Sequence, residues 1–242
     1  MKDALLSSTV KEMKNIKKIL LQVITLALLA ACNNNNTNSN SELGIDTPNS
    51  TTRVSPNGNR ALPDPGADCV PNSEHILGTV LRGQEEYFWC WAASGEMVME
   101  HLGNTITQCK EANELFGRRD CCNSTIPVEC DEGGWPEFEK YGFSADTTHN
   151  TALQWEDIKN QISCRKTPFC VTWRWTDSQG RPTGGGHMMV ISAYKTEDGE
   201  DWVKILDPLP VDTGSARWIR YSEYVGAPDY NHWDDFYNIK RK

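Results

Sequence analysis

The sequence contains no apolar run long enough to span a membrane. The most apolar stretch, residues 19–31, is short and interrupted, whereas a transmembrane helix needs about 20 apolar residues. Positive charge is also scarce, since 24 Lys and Arg residues stand against 33 Asp and Glu residues, for a net charge of −9. This balance argues against nucleic acid as a partner.

The N-terminus nevertheless has the pattern of an export signal. Three lysines between residues 14 and 18 precede the apolar run, which ends in the sequence Leu-Ala-Ala-Cys at Cys32. This ending resembles the bacterial lipobox, where a small residue precedes a cysteine that is acylated and becomes the new N-terminus. An ordinary secretory signal with a chance cysteine is the alternative. We therefore predict a lipoprotein signal peptide over residues 1–32, with Cys32 lipidated.

The next segment lacks large apolar side chains. Residues 33–66 are mostly Asn, Ser, Thr and Pro, so they cannot bury enough surface to fold. We expect a disordered tether that holds a folded domain, residues 67–242, at the bacterial cell envelope on the exported side. Loss of residues 1–32 removes five lysines and two acidic residues, which leaves a net charge of about −12.

Export also determines how the nine cysteines are interpreted, since an oxidising compartment converts spare thiols into disulfides. Setting aside Cys32 and Cys90 leaves seven, which cannot all pair, and the sequence does not identify the odd one. Cys164 and Cys170 bracket a helix-to-strand connection and are one candidate pair. The four cysteines within residues 109–130 lack the Cys-x-x-Cys spacing and nearby histidine of a zinc site, so disulfides are expected there and no metal.

Hydrophobic periodicity predicts a helical half followed by a β half, which is an α+β fold. The expected helices are residues 89–102, residues 108–116 capped by Thr107 and closed by Gly117, a short helix from Pro136, and one whose face carries Trp155, Ile158 and Ile162. The expected strands are residues 169–175, 187–195, 201–207, 217–225 and 233–240. Trp173 and Trp175 share one strand face and are expected to be core residues.

The segment before and after Cys90 carries the clearest chemical signal. Gln84 lies six residues before Cys90, which is followed by Trp91 and opens an apolar helix. A cysteine at a helix N-terminus has its thiolate stabilised by the helix dipole and by free N–H groups. The pattern favours a nucleophile at Cys90 over its alternative, a buried structural cysteine or half of a disulfide.

His187 is the expected base among five histidines. Gly184, Gly185 and Gly186 lead into it and an apolar strand follows, so a flexible loop would deliver the imidazole at the start of a strand. The turn signal of residues 197–199 lies between the strands predicted on either side of it, so these strands can pair as a hairpin that brings Asp207 to the same end as His187. Asp207 would then hold the imidazole in one tautomer. Alternatively, Asp207 and Pro208 simply end the strand.

The combination of Gln84, Cys90-Trp91, His187 and Asp207 resembles the papain-like cysteine peptidases, over roughly residues 75–210. The plant enzymes differ from this chain before the nucleophile and usually have Asn as the third residue, so the resemblance is to a bacterial branch. The secreted staphylococcal and plant-pathogen effector peptidases and the double-glycine leader peptidases are similar. The resemblance implies a helical half that carries the nucleophile helix, packed against an antiparallel β half, with the active-site cleft between them.

The resemblance also implies hydrolysis of peptide bonds in a protein or peptide substrate, with no cofactor. His187 would take the thiol proton, Cys90 would attack the carbonyl, Gln84 would stabilise the oxyanion and Trp91 would wall the cleft. Two alternatives remain: a Cys-His cell-wall amidase acting on peptidoglycan peptides, and a catalytically inactive surface binding module. The sequence leaves open the substrate preference, the oligomeric state and whether residues 33–80 inhibit the enzyme.

Overall fold

A computed structural model describes residues 69–242. The predicted signal peptide, the predicted lipidation site Cys32 and the predicted tether of residues 33–66 lie outside these residues. Among the helices of residues 69–242, none combines the length and the apolar character needed to cross a membrane.

Two regular helices lie in the first half of the described chain. Helix α1 spans Cys90–His101 and helix α2 spans Gln108–Leu115, which confirms the helices predicted in these places. Thr107 is the N-cap residue of α2, but its side chain makes no capping hydrogen bond. Gly117 has a φ of 62°, a backbone conformation that favours glycine and ends the helical region as predicted.

The other helical segments are shorter than a regular helix. Helix α3 spans Trp155–Lys159 and continues as a π-helical turn over Asn160–Cys164. Its predicted inner face is confirmed, since Ile158 and Ile162 are fully buried. The helix expected from Pro136 is instead a 3₁₀ turn over Phe138–Tyr141. A further 3₁₀ turn, Val128–Cys130, and helix α4, Tyr221–Val225, complete the set.

An eight-stranded antiparallel sheet forms the second half of the fold. The strands are β1 Glu74–Ile76, β2 Phe143–Thr147, β3 Phe169–Thr176, β4 Pro182–Glu197, β5 Glu200–Asp207, β6 Ser215–Arg220, β7 Gly226–Ala227 and β8 Tyr230–Arg241. Their order is β2-β8-β3-β4-β5-β6, with β1 beside β4 and β7 beside β8. The longest strand, β4, therefore pairs with three others and lies at the centre of the sheet.

All five predicted strands are present, as β3, β4, β5, β6 and β8, but three short strands, β1, β2 and β7, were not predicted and not every boundary agrees. Strand β4 begins at Pro182, five residues earlier than expected. The strand predicted over residues 217–225 ends at Arg220, because helix α4 begins there. The Glu223 carboxylate accepts a hydrogen bond from the Arg220 backbone N–H at 2.8 Å, and this capping interaction starts the helix where strand periodicity alone would continue.

The two faces of the sheet bury two separate hydrophobic clusters. The first contains much of α1 together with Cys170, Met188 and Val190, and the second contains Val171, Trp173 and Met189 among others. Neighbouring residues of one strand belong to different clusters, as strand alternation requires. Trp173 is a core residue as predicted, since it is buried and stacks on Tyr230 with ring centroids 3.9 Å apart. Trp175 was expected to be a core residue too, but it is only half-buried.

Three disulfides lie within the described residues. The four cysteines of residues 109–130 form two of them, Cys109–Cys122 and Cys121–Cys130. The predicted Cys164–Cys170 pair is wrong, because Cys164 bonds Cys69, 95 residues away. Cys170 is a free thiol that is buried in the α1 cluster. Its position between Val190 and Phe236 in the sheet holds it there, away from the end of the π-helical turn.

Candidate active site

Cys90 is the first residue of helix α1, as predicted. The first N–H groups of a helix have no intrahelical acceptor, and the first turn of α1 contains no acidic side chain. A thiolate at this position is therefore stabilised by the helix dipole. Cys90 is buried in the same cluster as Met188 and Leu206, so α1 packs against β4 and β5, the two strands that carry His187 and Asp207.

The oxidation state of Cys90 bears on its chemistry. Cys90 is disulfide-bonded in the structure, and the three disulfides between described residues do not include it. Only a thiolate attacks a carbonyl carbon well, so Cys90 must be reduced before it can act. The experiments below therefore use mildly reduced protein.

His187 lies inside strand β4 and not in the flexible loop that the glycines suggested. Gly184, Gly185 and Gly186 are part of the strand, and a close backbone approach explains the last of them. A Cβ at Gly186 would lie 2.3 Å from the Trp173 carbonyl oxygen, which no side chain permits. The imidazole is therefore carried by a buried part of strand β4, where His187 is 5% exposed.

The hairpin that was predicted to join His187 and Asp207 is confirmed. Strands β4 and β5 pair up to Glu197 and Glu200, and the two residues between them, Asp198 and Gly199, both have positive φ. The His187 Nε2–H donates to Asp207 Oδ1 at 2.7 Å. The other ring nitrogen, Nδ1, is buried and has no hydrogen-bond partner in the described chain.

Asp207 has two further partners, neither of which the sequence identified. The Leu209 backbone N–H donates to Oδ1 at 3.0 Å, and Arg217 Nη1 donates to Oδ2 at 2.8 Å. Burial alone would raise the pKa of Asp207, but the charge and hydrogen bond of His187, then Arg217 and the Leu209 N–H, hold it well below its usual range. The carboxylate is therefore ionised at neutral pH.

Gln84 is attached to the loop that follows Asp207. Its backbone N–H donates to the Pro208 carbonyl at 3.0 Å, and its own carbonyl accepts from the Asp212 N–H at 2.8 Å. Gly83 permits this approach, because a Cβ there would lie 2.4 Å from the backbone of residues 212 and 213. Gln84 and Asp207, 123 positions apart, thus become close neighbours in the fold.

The Gln84 side chain is buried and uses its amide locally. Nε2 donates to the carbonyls of Glu86, at 2.9 Å, and Tyr87, at 2.5 Å, whereas Oε1 has no hydrogen-bond partner in the described residues. For Gln84 to donate to an oxyanion, the amide must exchange one of these carbonyls for the substrate oxygen.

Trp91 does not wall a cleft as the resemblance implied. It is completely buried, its indole Nε1 donates to the Glu132 carbonyl at 3.1 Å, and its ring meets Phe116 edge to face. Gly134 packs against this ring, since a Cβ there would lie 2.8 Å from it. Trp91 therefore anchors α1 in the helical half of the core.

The remaining histidines lie in other environments. His101 bonds the Lys166 carbonyl, His75 lies near the Lys166 amine, and His149 is exposed. His232 is buried beside Asp235, with Nε2 and Oδ2 3.1 Å apart. This second His–Asp pair lies in the sheet core, where the Tyr224 hydroxyl donates to the same carboxylate at 2.6 Å. It is part of a buried structural network.

Solved structures show which fold this is. A structure from a study of the mite allergens Blo t 1 and Der p 1 has a TM-score of 0.50 and 12% identity, over 73% of this chain and 74% of that one. Procathepsin B S9 from Trypanosoma congolense has a TM-score of 0.49 and 11% identity, over 75% and 81%. Xylellain, a cysteine protease from Xylella fastidiosa, has a TM-score of 0.44 and 10% identity, over 72% and 87%. The first supports the predicted papain-like α+β fold, and at this identity it shows the fold alone.

A comparison with protein-family models identifies the family of this chain. No curated protein matches the chain. The Peptidase_C39 like family matches residues 76–236, well over half of the sequence, and the matched region contains the whole segment from Gln84 to Asp207. This match, together with the α1 and β4–β5 arrangement, means that the chain belongs to the Peptidase_C39-like family and is a papain-like cysteine peptidase.

Proposed function

We propose that this peptidase hydrolyses peptide bonds through a Cys90, His187 and Asp207 triad, with Gln84 as an oxyanion donor. One observation carries the proposal: His187 is held by Asp207 through Nε2, while its buried Nδ1 has no hydrogen-bond partner in residues 69–242. A proton fixed on Nε2 leaves the Nδ1 lone pair as a base. The other buried His–Asp pair is His232 and Asp235. The Asp235 charge acts on Cys170, which lies in strand β3 and not at the start of a helix.

The proposed catalytic cycle gives each residue of the triad a role. Nδ1 of His187 takes the thiol proton of reduced Cys90, and the thiolate attacks the carbonyl carbon of the scissile bond. The C–N bond then breaks as His187 returns the proton to the leaving amine, which leaves a thioester on Cys90. Water, deprotonated by the same nitrogen, hydrolyses the thioester and restores the thiol. Asp207 keeps the ring oriented throughout and does not itself transfer the proton.

The substrate class is tested by offering both candidates to one preparation. The mildly reduced domain, with its three disulfides verified by mass spectrometry, is incubated with casein and with peptidoglycan, with and without iodoacetamide. We expect alkylation-sensitive cleavage of casein. Cleavage of peptidoglycan alone would establish the cell-wall amidase alternative, and no cleavage of either substrate would contradict the proposed function.

We predict that Asp207→Asn lowers kcat by about tenfold, less than the 10²- to 10⁴-fold that a group transferring a proton contributes. The asparagine carbonyl still accepts from His187 Nε2, but the amide can no longer accept from Arg217 on its other side. The measurement is steady-state hydrolysis of a casein-derived peptide, with Asp235→Asn, from the second His–Asp pair, as a test of specificity. Full activity in Asp207→Ala would transfer the orienting role to another residue.

We also propose that the peptidase is a lipoprotein of the bacterial cell envelope, anchored through Cys32. The sequence Leu-Ala-Ala-Cys supports this, and the three disulfides of the described domain fit an exported protein. The lipid on Cys32 would hold the peptidase at the membrane surface, where exported or extracellular polypeptides are the available substrates.

We expect Cys32→Ser to release the protein from the membrane fraction, because the substitution removes the acylated atom. Two acyl chains are needed for stable anchoring, so the loss should be complete. Fractionation of expressing cells followed by detergent phase partitioning measures it, and Cys170→Ala, which changes a buried core thiol, is the control. If Cys32→Ser protein still partitions with membranes after mild extraction, the lipoprotein prediction is wrong.

A further inference from the structure

Arg217 reaches Asp207 because of the register between two strands. Strands β5 and β6 pair Asp207 with Ser215 and Ile205 with Arg217, so Arg217 lies diagonally across from Asp207 on the same face of the sheet. Its Nη1 donates to Asp207 Oδ2 at 2.8 Å. His187 uses the opposite carboxylate oxygen, and Arg217, Asp207 and His187 therefore form a continuous chain of hydrogen bonds.

We propose that Arg217 is a positioning residue for the peptidase reaction, which fixes the Asp207 carboxylate and sets the pH at which the His187 imidazolium loses its proton. This inference rests on the proposed triad and adds a fourth member to it. Arg217 is the outer member of this chain of hydrogen bonds, because its side chain is 43% exposed whereas the Asp207 side chain is 10% exposed. Arg217 binds Oδ2, whereas His187 and the Leu209 N–H both bind Oδ1, so Arg217 fixes the second oxygen of the carboxylate.

Groups on four strands take part in or lie beside this chain of hydrogen bonds. His187 is on β4, Asp207 on β5 and Arg217 on β6, and the Arg217 charge also acts on Tyr230 of β8. Burial and nearby carboxylates raise the pKa of Tyr230 to about 12, so it is neutral when the enzyme works. Arg217 therefore offsets part of the Asp207 charge that would otherwise favour a protonated His187.

The sign of the expected effect follows from this balance. Without the Arg217 charge, the imidazolium next to Asp207 persists to higher pH, so the alkaline limb of the rate profile moves upward. A charge two groups away, partly screened by solvent, shifts such a limb by about 0.5 to 1 pH unit. Loss of one charge-assisted hydrogen bond to a partly exposed partner also lowers kcat by about tenfold, while KM stays within about twofold because Arg217 binds Asp207.

The experiment compares Arg217→Met with Arg217→Lys and with Arg220→Met. Arg217→Lys keeps the charge and should keep the alkaline limb while recovering part of kcat. Arg220 is the matched control, since it is on the same strand but lies over the Trp202 ring and not at Asp207. If Arg217→Met does not fold, as judged by thermal melting, Arg217→Gln replaces it.

Two rates, each measured as a function of pH, determine the position of the alkaline limb independently. One is kcat/KM for a peptide, and the other is the rate at which iodoacetate alkylates reduced Cys90, because its negative charge favours reaction beside the imidazolium. A shift in Arg217→Met that Arg217→Lys abolishes supports the inference, even if the parent protein cleaves no peptide and the proposed function fails. An unshifted limb in both profiles overturns it, whatever happens to kcat or to the melting temperature, since a purely structural role would not move the limb.

Discussion

Cys90→Ala and His187→Ala should each reduce thiol-dependent hydrolysis by at least about 10⁴-fold, because neither the nucleophile nor the base has a substitute in the site. The two losses should not add, since the thiol and the imidazole act as one unit. In Cys90→Ala there is no atom to attack the substrate. In His187→Ala the thiol keeps its proton, and alkylation by iodoacetamide at neutral pH should slow together with turnover.

The control for both variants is Cys170→Ala. Cys170 is a free thiol in the described chain, and burial and the nearby Glu111 and Asp235 charges raise its pKa well above the usual value. Its removal should therefore leave turnover and alkylation of the protein unchanged. Thermal melting and circular dichroism show whether each variant is folded. A folded Cys90→Ala or His187→Ala protein with normal turnover would end the proposed role of that residue.

Gln84→Ala should lower kcat by about 10² to 10³, equivalent to about 2.7 to 4 kcal/mol, with little change in KM. The amide is useful only once the substrate carbonyl becomes an oxyanion, since in the structure Nε2 donates to the Glu86 and Tyr87 carbonyls. Gln84→Glu is the matched variant, because it keeps the size of the side chain but has no N–H to donate when ionised. It should lose kcat to a similar extent.

Alkylation of Cys90 distinguishes this role from a structural one. In the proposed mechanism His187 generates the thiolate, and neither substitution changes His187, so iodoacetamide should still modify Cys90 at the parental rate. Turnover within a few-fold of the parent would exclude the oxyanion role. Loss of both turnover and alkylation in a folded protein would instead place Gln84 in the formation of the thiolate.

Short-range features of this protein were readable from the sequence. The helix that begins at Cys90, the inner face of Ile158 and Ile162, and the turn at Asp198-Gly199 each depend on a few adjacent residues whose backbone preferences agree. The turn in particular determined that Asp207 would lie at the same end of its hairpin as His187. The exact register of the two strands was not readable from the turn signal, and the structure supplies it by pairing Glu197 with Glu200.

Features that depend on packing were not readable. The strand pattern could not show that Gly186 belongs inside β4, since its reason is the Trp173 carbonyl of a neighbouring strand. Trp91 looked like a cleft residue until its indole was found to bond the Glu132 carbonyl in the core. Cys164 bonds Cys69, 95 residues away, and not a cysteine six residues away.

Local periodicity in the sequence predicted the α+β fold class and the helix that begins at Cys90, and the resemblance to papain-like peptidases indicated the residues proposed for catalysis. The groups that hold those residues became known only from the packing of the folded chain. Arg217 meets Asp207 through the β5–β6 register, and Gln84 meets the Asp207 loop through backbone hydrogen bonds to Pro208 and Asp212. Contacts between distant segments depend on how the whole chain packs, and no local pattern encodes them.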